Sequence, residues 1–137
     1  MTAVRKINEA ETILNRLETD SKEFQTNLNL FAKTVHEIFV HLLDEYNAKF
    51  DFKLKHASLE KFKKEARKLG RIDAINFLIW YEREYRKIKD EPMFEFLVTH
   101  SAEQNIAVKE NPEYTKKMCS LLLGRIREMT YHAYENF

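Results

Sequence analysis

The sequence predicts an all-α fold, an up-and-down bundle of about five or six helices, and three observations carry the prediction. Only two glycines and two prolines punctuate 137 residues. A β-sandwich or barrel of this length needs many tight turns and their special residues. One apolar stripe, Phe24, Leu28, Phe31, Val35, Ile38, Leu42 and Tyr46, steps by three and four over about 25 residues. No strand has that period. Finally, helix start and stop residues recur at the edges of the apolar patterns.

In order along the chain, Val4, Ile7, Ile13, Leu14 and Leu17 sketch a first helix. Asp20 followed by Glu23 reads as a capping-box-like start for the second, with Asp in place of Ser or Thr. Residues 49–57 carry little pattern and read as a loop. Ser58 is the expected N-cap of a third helix that turns Leu59, Phe62, Ala66 and Leu69 inward and stops at Gly70. A fourth spans Asp73 to Lys89, with Ile75, Leu78, Ile79, Tyr85 and Ile88 inward. Pro92 ends it and opens another, burying Met93, Phe94, Phe96 and Leu97. Asn111-Pro112-Glu113 then combines a cap, an N1 proline and a first-turn acid, starting a last helix that runs to the C-terminus. No linker, repeat or low-complexity tract interrupts the chain, so residues 1–137 are expected to form a single helical-bundle domain.

Composition narrows the function classes. Hydrophobic residues make up 44% of the chain, enough for a core in a domain of this size. The single Cys119 excludes an intrachain disulfide framework and a multi-cysteine zinc site; among Met118, Leu121 and Leu122 it reads as a small core residue. No apolar run approaches the roughly 18 residues of a membrane span, and the N-terminal residues lack a signal-peptide core. A cytoplasmic protein with no membrane partner is expected. Two separated glycines cannot build a phosphate-cradling loop, and no cofactor is implied. The net charge of +1 means that attraction to nucleic acid must come from local clustering.

Three residue groups invite chemistry. His36-Glu37-Ile38-Phe39-Val40-His41 resembles a zinc-protease helix with one residue too many. Histidines at i and i+4 lie about 40° apart on a helix, whereas at i+5 they lie about 140° apart. Glu37, His41 and Glu45 share a face, a row common on solvated helices, and no metal is expected. The second group is basic: Lys53, Lys55, Lys61, Lys63, Lys64, Arg67, Lys68 and Arg71 face only Glu60 and Glu65, and Arg83, Arg86, Lys87 and Lys89 continue on the next helix. If the two helices are antiparallel neighbours, Lys61, Lys64, Arg67, Lys68, Arg71 and Arg86 belong to one surface able to hold phosphates. The ordinary alternative is a solvated lysine-rich face. The third group is Arg125, Arg127, His132 and Tyr134 on the last helix. A histidine to move a 2′-hydroxyl proton and an arginine to hold phosphorane charge suit metal-free RNA cleavage.

A larger pattern lies over these elements. Glu23-Phe24, Asn27-Leu28-Asn29-Leu30-Phe31, Trp80-Tyr81 and Asp90-Glu91-Pro92-Met93-Phe94-Glu95-Phe96-Leu97 together resemble the HEPN superfamily of small helical bundles, over roughly residues 23–109. In that family an Arg-Asn-x3-His motif on the following helix forms a metal-independent ribonuclease site, usually across a dimer. Here Ser101 and Ile106, or in another register Gln104-Asn105 and Lys109, occupy those positions. The resemblance therefore implies an inactive or repurposed domain. Arg127, His132 and Tyr134 match an Arg-x4-His-x-Tyr form of toxin members, on a later helix than the family places it.

Three readings follow: a non-catalytic HEPN-like domain binding a protein partner or RNA, with a homodimer as a further association; a ribonuclease using Arg127 and His132; and an unrelated helical adaptor. The enzyme requires an arginine and His132 to converge on one phosphate. The nucleic-acid module requires the cations of residues 53–89 to merge into one surface. An unrelated bundle is expected to place Trp80 and Tyr81 in ordinary core packing together with a helix order different from the HEPN up-down arrangement.

Overall fold

The computed structural model describes residues 2–18, 22–54, 58–90 and 112–137. Among these residues every regular element is helical: α1 (Thr2–Asn15), α2 (Phe24–Lys49), α3 (Leu59–Leu69), α4 (Ile72–Lys89) and α5 (Pro112–Asn136). No described helix is long and apolar enough to cross a membrane. The expected helix opening at Pro92, the aspartate of the expected cap at Asp20, and Asn111 lie outside the described residues.

Helix α2 is the spine, with 26 residues rising roughly 39 Å. The whole expected stripe is buried, and Phe39 and Leu43 widen it on the same side. Helix α1 packs along it through Ala3, Ile7, Ala10 and Leu14. The two alanines are small side chains at a helix–helix contact, where size sets the distance between axes. Helix α5 lies against α1 and α4, and α4 also contacts α3. The buried apolar side chains form one continuous cluster. Two of the three buried threonines, Thr34 and Thr130, keep a hydrogen bond by donating to the carbonyls of Leu30 and Ile126 one turn back.

The α3 boundaries follow the sequence signals. Ser58 accepts from the Lys61 amide at 3.3 Å, and Gly70 closes the helix in the left-handed region at φ 62°. The start of α2 differs: Glu23 is the N-cap in αR geometry, and its side chain does not cap the helix.

Two inward assignments need correction. Leu69 and Ile79 are exposed, while Ala74, Phe77 and Tyr81 take the buried positions on α4. Helix α4 meets α3 and α5 on two flanks, and its buried face therefore includes the row 74, 77, 78, 81, 88.

Residues 50–54 also hold more structure than a patternless loop. Phe50 and Phe52 are buried while Asp51 and Lys53 between them adopt positive φ, 58° and 53°. The side chain of Asn47 closes this turn, donating to the Leu54 carbonyl at 2.9 Å and accepting from its amide at 3.3 Å. The two rings meet Phe62 and, through Phe50, Phe77. The turn thus anchors α3 to the bundle.

Cys119 is buried on α5, as a core residue should be, and burial pushes its thiol up to about 12. At neutral pH the thiolate is scarce and shielded. Native protein is therefore expected to resist thiol reagents such as 5,5′-dithiobis(2-nitrobenzoate) for hours, with full reaction in guanidinium chloride. Rapid labelling of the folded chain would show that α5 opens locally.

Candidate functional site

On α5 the candidate ribonuclease residues are separated. Arg127 and Tyr134 are seven positions apart, two helical turns, and share the face directed at α1 and α2. Arg127 pairs with Glu11 of α1 at 2.9 Å. The Tyr134 hydroxyl donates to Glu45 of α2 at 2.5 Å. Burial first, and then this bond, hold the Tyr134 hydroxyl well above the usual phenol range. His132 stands about 140° round the helix from Arg127, exposed, with its carbonyl accepting from the Asn136 side chain at 2.8 Å. Arg125 shares the face of His132. Arg127 and Tyr134 are thus engaged by α1 and α2 on a face turned away from His132.

The Glu37–His41–Glu45 row acquires a structural meaning. Glu37 is bound by Lys6 at 2.7 Å, which holds its carboxyl below the usual range. Glu45 accepts from the Thr2 hydroxyl at 3.2 Å and the Ala3 amide at 2.8 Å. Both carboxylates therefore fasten α1 to α2. His36 is exposed and His41 half-buried. Among the described residues no three His, Cys, Asp or Glu side chains gather in a way that could hold a metal.

The basic stretch divides in two. On α3 the residues Lys61, Lys64 and Lys68 recur at three and four positions opposite buried Phe62 and Ala66, with Arg67 at their edge; all four are exposed. None of the four forms an ion pair within the described residues. Lys63 differs, since Glu82 of α4 binds it at 2.8 Å. Three of the four cations of α4 have carboxylate neighbours on their own helix: Arg83 to Glu84 at 3.6 Å, Arg86 to Glu82 at 3.2 Å, and Lys87 to Glu84 at 3.4 Å. Arg71 is committed to the fold. It grips Asp73 with two bonds of 3.1 and 3.0 Å, donates to the Phe50 carbonyl at 3.1 Å, and lies 5.8 Å from the centroids of Phe50 and Phe52. Its guanidinium ties the turn after α2 to the start of α4.

Sequence reasoning did not anticipate the apolar strip beside these cations. Leu69, Ile72 and Ile79 are 52%, 72% and 61% exposed, and half-buried Ile75 joins them. Ile72 and Ile79 are seven positions apart and so share one face of α4. A small cleft of about 70 Å³ between α3 and α4 brings Ile75, Leu78 and Ile79 against Lys63, Arg67 and Glu82. The signal was present as Ile72-x2-Ile75-x3-Ile79, an apolar row that the fold leaves uncovered because Phe77, Leu78 and Tyr81 already fill the buried side. Singly scattered exposed apolar residues are ordinary, but Ile72, Ile75 and Ile79 fall on one face of α4, with Ile75 and Ile79 next to Arg67.

Trp80 and Tyr81 sit in ordinary aromatic packing. Trp80 is half-buried against Phe77 and Phe137, and Tyr81 is buried and stacks on Tyr85. The residues of the degenerate motif, Ser101 to Lys109, lie outside the described residues. Comparison with known protein families, with curated proteins and with solved structures finds no match to this chain.

Proposed function

We propose that this chain is a non-catalytic helical binding module, of HEPN-like or merely similar layout, that docks an acidic amphipathic helix of a protein partner on the α3–α4 surface. The observation that carries the reading is the row Ile72, Ile75 and Ile79 on one face of α4, with Ile75 and Ile79 sharing a cleft with Arg67, which forms no ion pair among the described residues. An apolar row two turns long takes a partner helix whose own apolar residues recur at i, i+4 and i+7. The carboxylates near the row, Asp73 and Glu82, are already matched by Arg71, Lys63 and Arg86. The remaining charge is positive and selects carboxylates flanking the partner's apolar face. Core packing of Trp80 and Tyr81 suits an unrelated bundle as well as a HEPN-like one, so the proposal rests on the surface and not on the resemblance. The expected compartment is the cytoplasm, where a lone buried cysteine stays reduced.

The second reading, RNA held by Lys61, Lys64, Arg67 and Lys68, is favoured by the unpaired stripe on α3. Pairing of Arg83, Arg86 and Lys87 with Glu82 and Glu84 keeps that stripe narrow.

One set of titrations separates the readings. A labelled helical peptide with leucines at i, i+4 and i+7 and glutamates on both flanks is expected to bind, and Ile79→Glu or Arg67→Glu to weaken it about tenfold, some 1.4 kcal/mol. Both positions are exposed, so stability should stay within about 0.5 kcal/mol. Absence of peptide binding, with single-stranded RNA retained in a steeply salt-dependent way, would replace the protein partner by RNA. RNA cleavage abolished by His132→Ala would instead establish the ribonuclease.

A further inference from the structure

We propose that the outer face of α5 is a self-association surface, on which two copies of this chain pair their α5 helices antiparallel about a two-fold axis midway between Leu121 and Gly124. The face uses none of the side chains of the α3–α4 docking row and stands independently of that reading.

The outer residues of α5 recur at spacings of three and four: Tyr114, Lys117, Leu121, Gly124, Glu128 and Tyr131. Such a row is one seam along a helix, and its drift of about 20° per heptad is taken up by a shallow left-handed crossing with a second helix. The large apolar members of the seam face solvent, with Tyr114 56%, Leu121 54% and Tyr131 44% exposed. Lys117 and Glu128 are exposed as well and form no ion pair among the described residues.

Gly124 lies inside this helix, where glycine is less favourable than alanine. Among the described residues no atom stands within 4 Å of the place its Cβ would take. Packing within the single chain therefore does not call for a glycine there, whereas close approach of a second helix does. A hollow of about 550 Å³ opens on the same face, with Leu121, Gly124 and Glu128 in its lining.

The chemistry of the seam selects a second copy as its occupant. With Leu121 of one copy opposite Gly124 of the other, Lys117 falls opposite Glu128 and Tyr114 opposite Tyr131, each pair occurring twice by symmetry. The leucine seats where the facing helix has no side chain, and opposite charges meet. Tyr131 is already held edge-on by Tyr134 at 6.4 Å. On the flanks Arg125 comes opposite Met118, and Arg127, bound to Glu11, comes opposite Ser120, so no like charges face each other. A parallel pair would set Lys117 against Lys117 and Glu128 against Glu128. A slip of one heptad would put Glu128 opposite Gly124 and leave Tyr114 without a counterpart.

The test is sedimentation equilibrium of the full chain from about 1 µM to about 1 mM. One helix pair is a small interface, so a reversible dimer with a Kd of about 10–100 µM is expected. Leu121→Glu should weaken it at least tenfold. Lys117→Glu and Glu128→Lys should each weaken it about tenfold, because each substitution counts twice at a two-fold interface. The double variant Lys117→Glu/Glu128→Lys, and an equimolar mixture of the two single variants, should recover the original affinity. Gly124→Leu fills the seat of Leu121 and should weaken the dimer without lowering the thermal midpoint, which separates loss of association from loss of folding. A monomer throughout the concentration range, a dimer that Leu121→Glu leaves intact, or a double variant no stronger than the single ones would each overturn the proposal. Loss of the dimer in Ile79→Glu would overturn it too, by moving the contact to the α3–α4 surface.

Discussion

Replacing Phe77 by alanine is expected to cost about 3–5 kcal/mol, the range for deleting a fully enclosed phenyl ring. Phe77 is wholly buried. Its ring stacks on Tyr46 with centroids 4.1 Å apart and touches Phe50, Phe62, Trp80, Tyr81 and Phe137. Those neighbours belong to α2 and the turn after it, α3, α4 and the end of α5. A hole lined by stiff rings on so many elements cannot collapse easily, which places the loss at the upper part of the range. Domains of this size hold about 5–15 kcal/mol in total, so the variant forfeits a third or more of it. Guanidinium denaturation monitored by far-UV circular dichroism should show a lower midpoint with an unchanged slope. Phe77→Leu should fall in between. A loss under about 1.5 kcal/mol for alanine would mean that the rings repack and that the aromatic cluster does not hold the α3–α4 pair to the spine.

Phe77 also marks the limit of what periodicity reveals. The stripe of α2 was legible because the helix buries one face against the rest of the bundle, and a period of 3.6 reports one face well. The Ser58 and Gly70 signals were legible because caps act through local backbone chemistry. Helix α4 is different: α3 and α5 contact it on two flanks, so its buried arc is wide and its apolar residues exceed what the arc accepts. Ile79 is left outside and Phe77 is taken inside. Nothing in residues 72–89 ranks the two, since the choice is made by neighbours distant in sequence. The same holds for the candidate sites. The abundance of lysine on α3 was plain in the sequence and Lys61, Lys64 and Lys68 are exposed, but the carboxylates that match Arg86 and Arg71 act through geometry, and Arg71 bonds a carbonyl 21 positions away. The Arg127–His132 spacing carried its own warning, as five positions on a helix turn the two side chains apart.

Glu45 offers the second large effect, through a network that joins three helices. Glu45→Ala is expected to cost about 2–3 kcal/mol. One carboxylate oxygen takes the Ala3 amide and the Thr2 hydroxyl, which makes a side chain of α2 the cap of α1 from 42 residues away. Losing a helix cap costs about 1 kcal/mol. The other oxygen takes the Tyr134 hydroxyl at 2.5 Å, short enough to be a charge-assisted bond. Tyr134 is half-buried beside Tyr46, 6.5 Å between centroids, so its hydroxyl loses a partner it cannot fully replace with water. An unmet buried donor costs about 1–3 kcal/mol. Tyr134→Phe removes only the second contact and should cost about 1 kcal/mol. Because the two variants share one bond, the double variant should be less destabilised than the sum of the singles, by 0.5 kcal/mol or more. Strict additivity would mean that the hydroxyl and carboxylate do not interact in solution. A Glu45→Ala loss below 0.5 kcal/mol would mean that water caps α1 equally well. If the coupling is found, Tyr134 and Glu45 hold the C-terminal part of α5 against the start of α1. The tyrosine that spacing placed beside a ribonuclease histidine then acts as a fastening of the bundle.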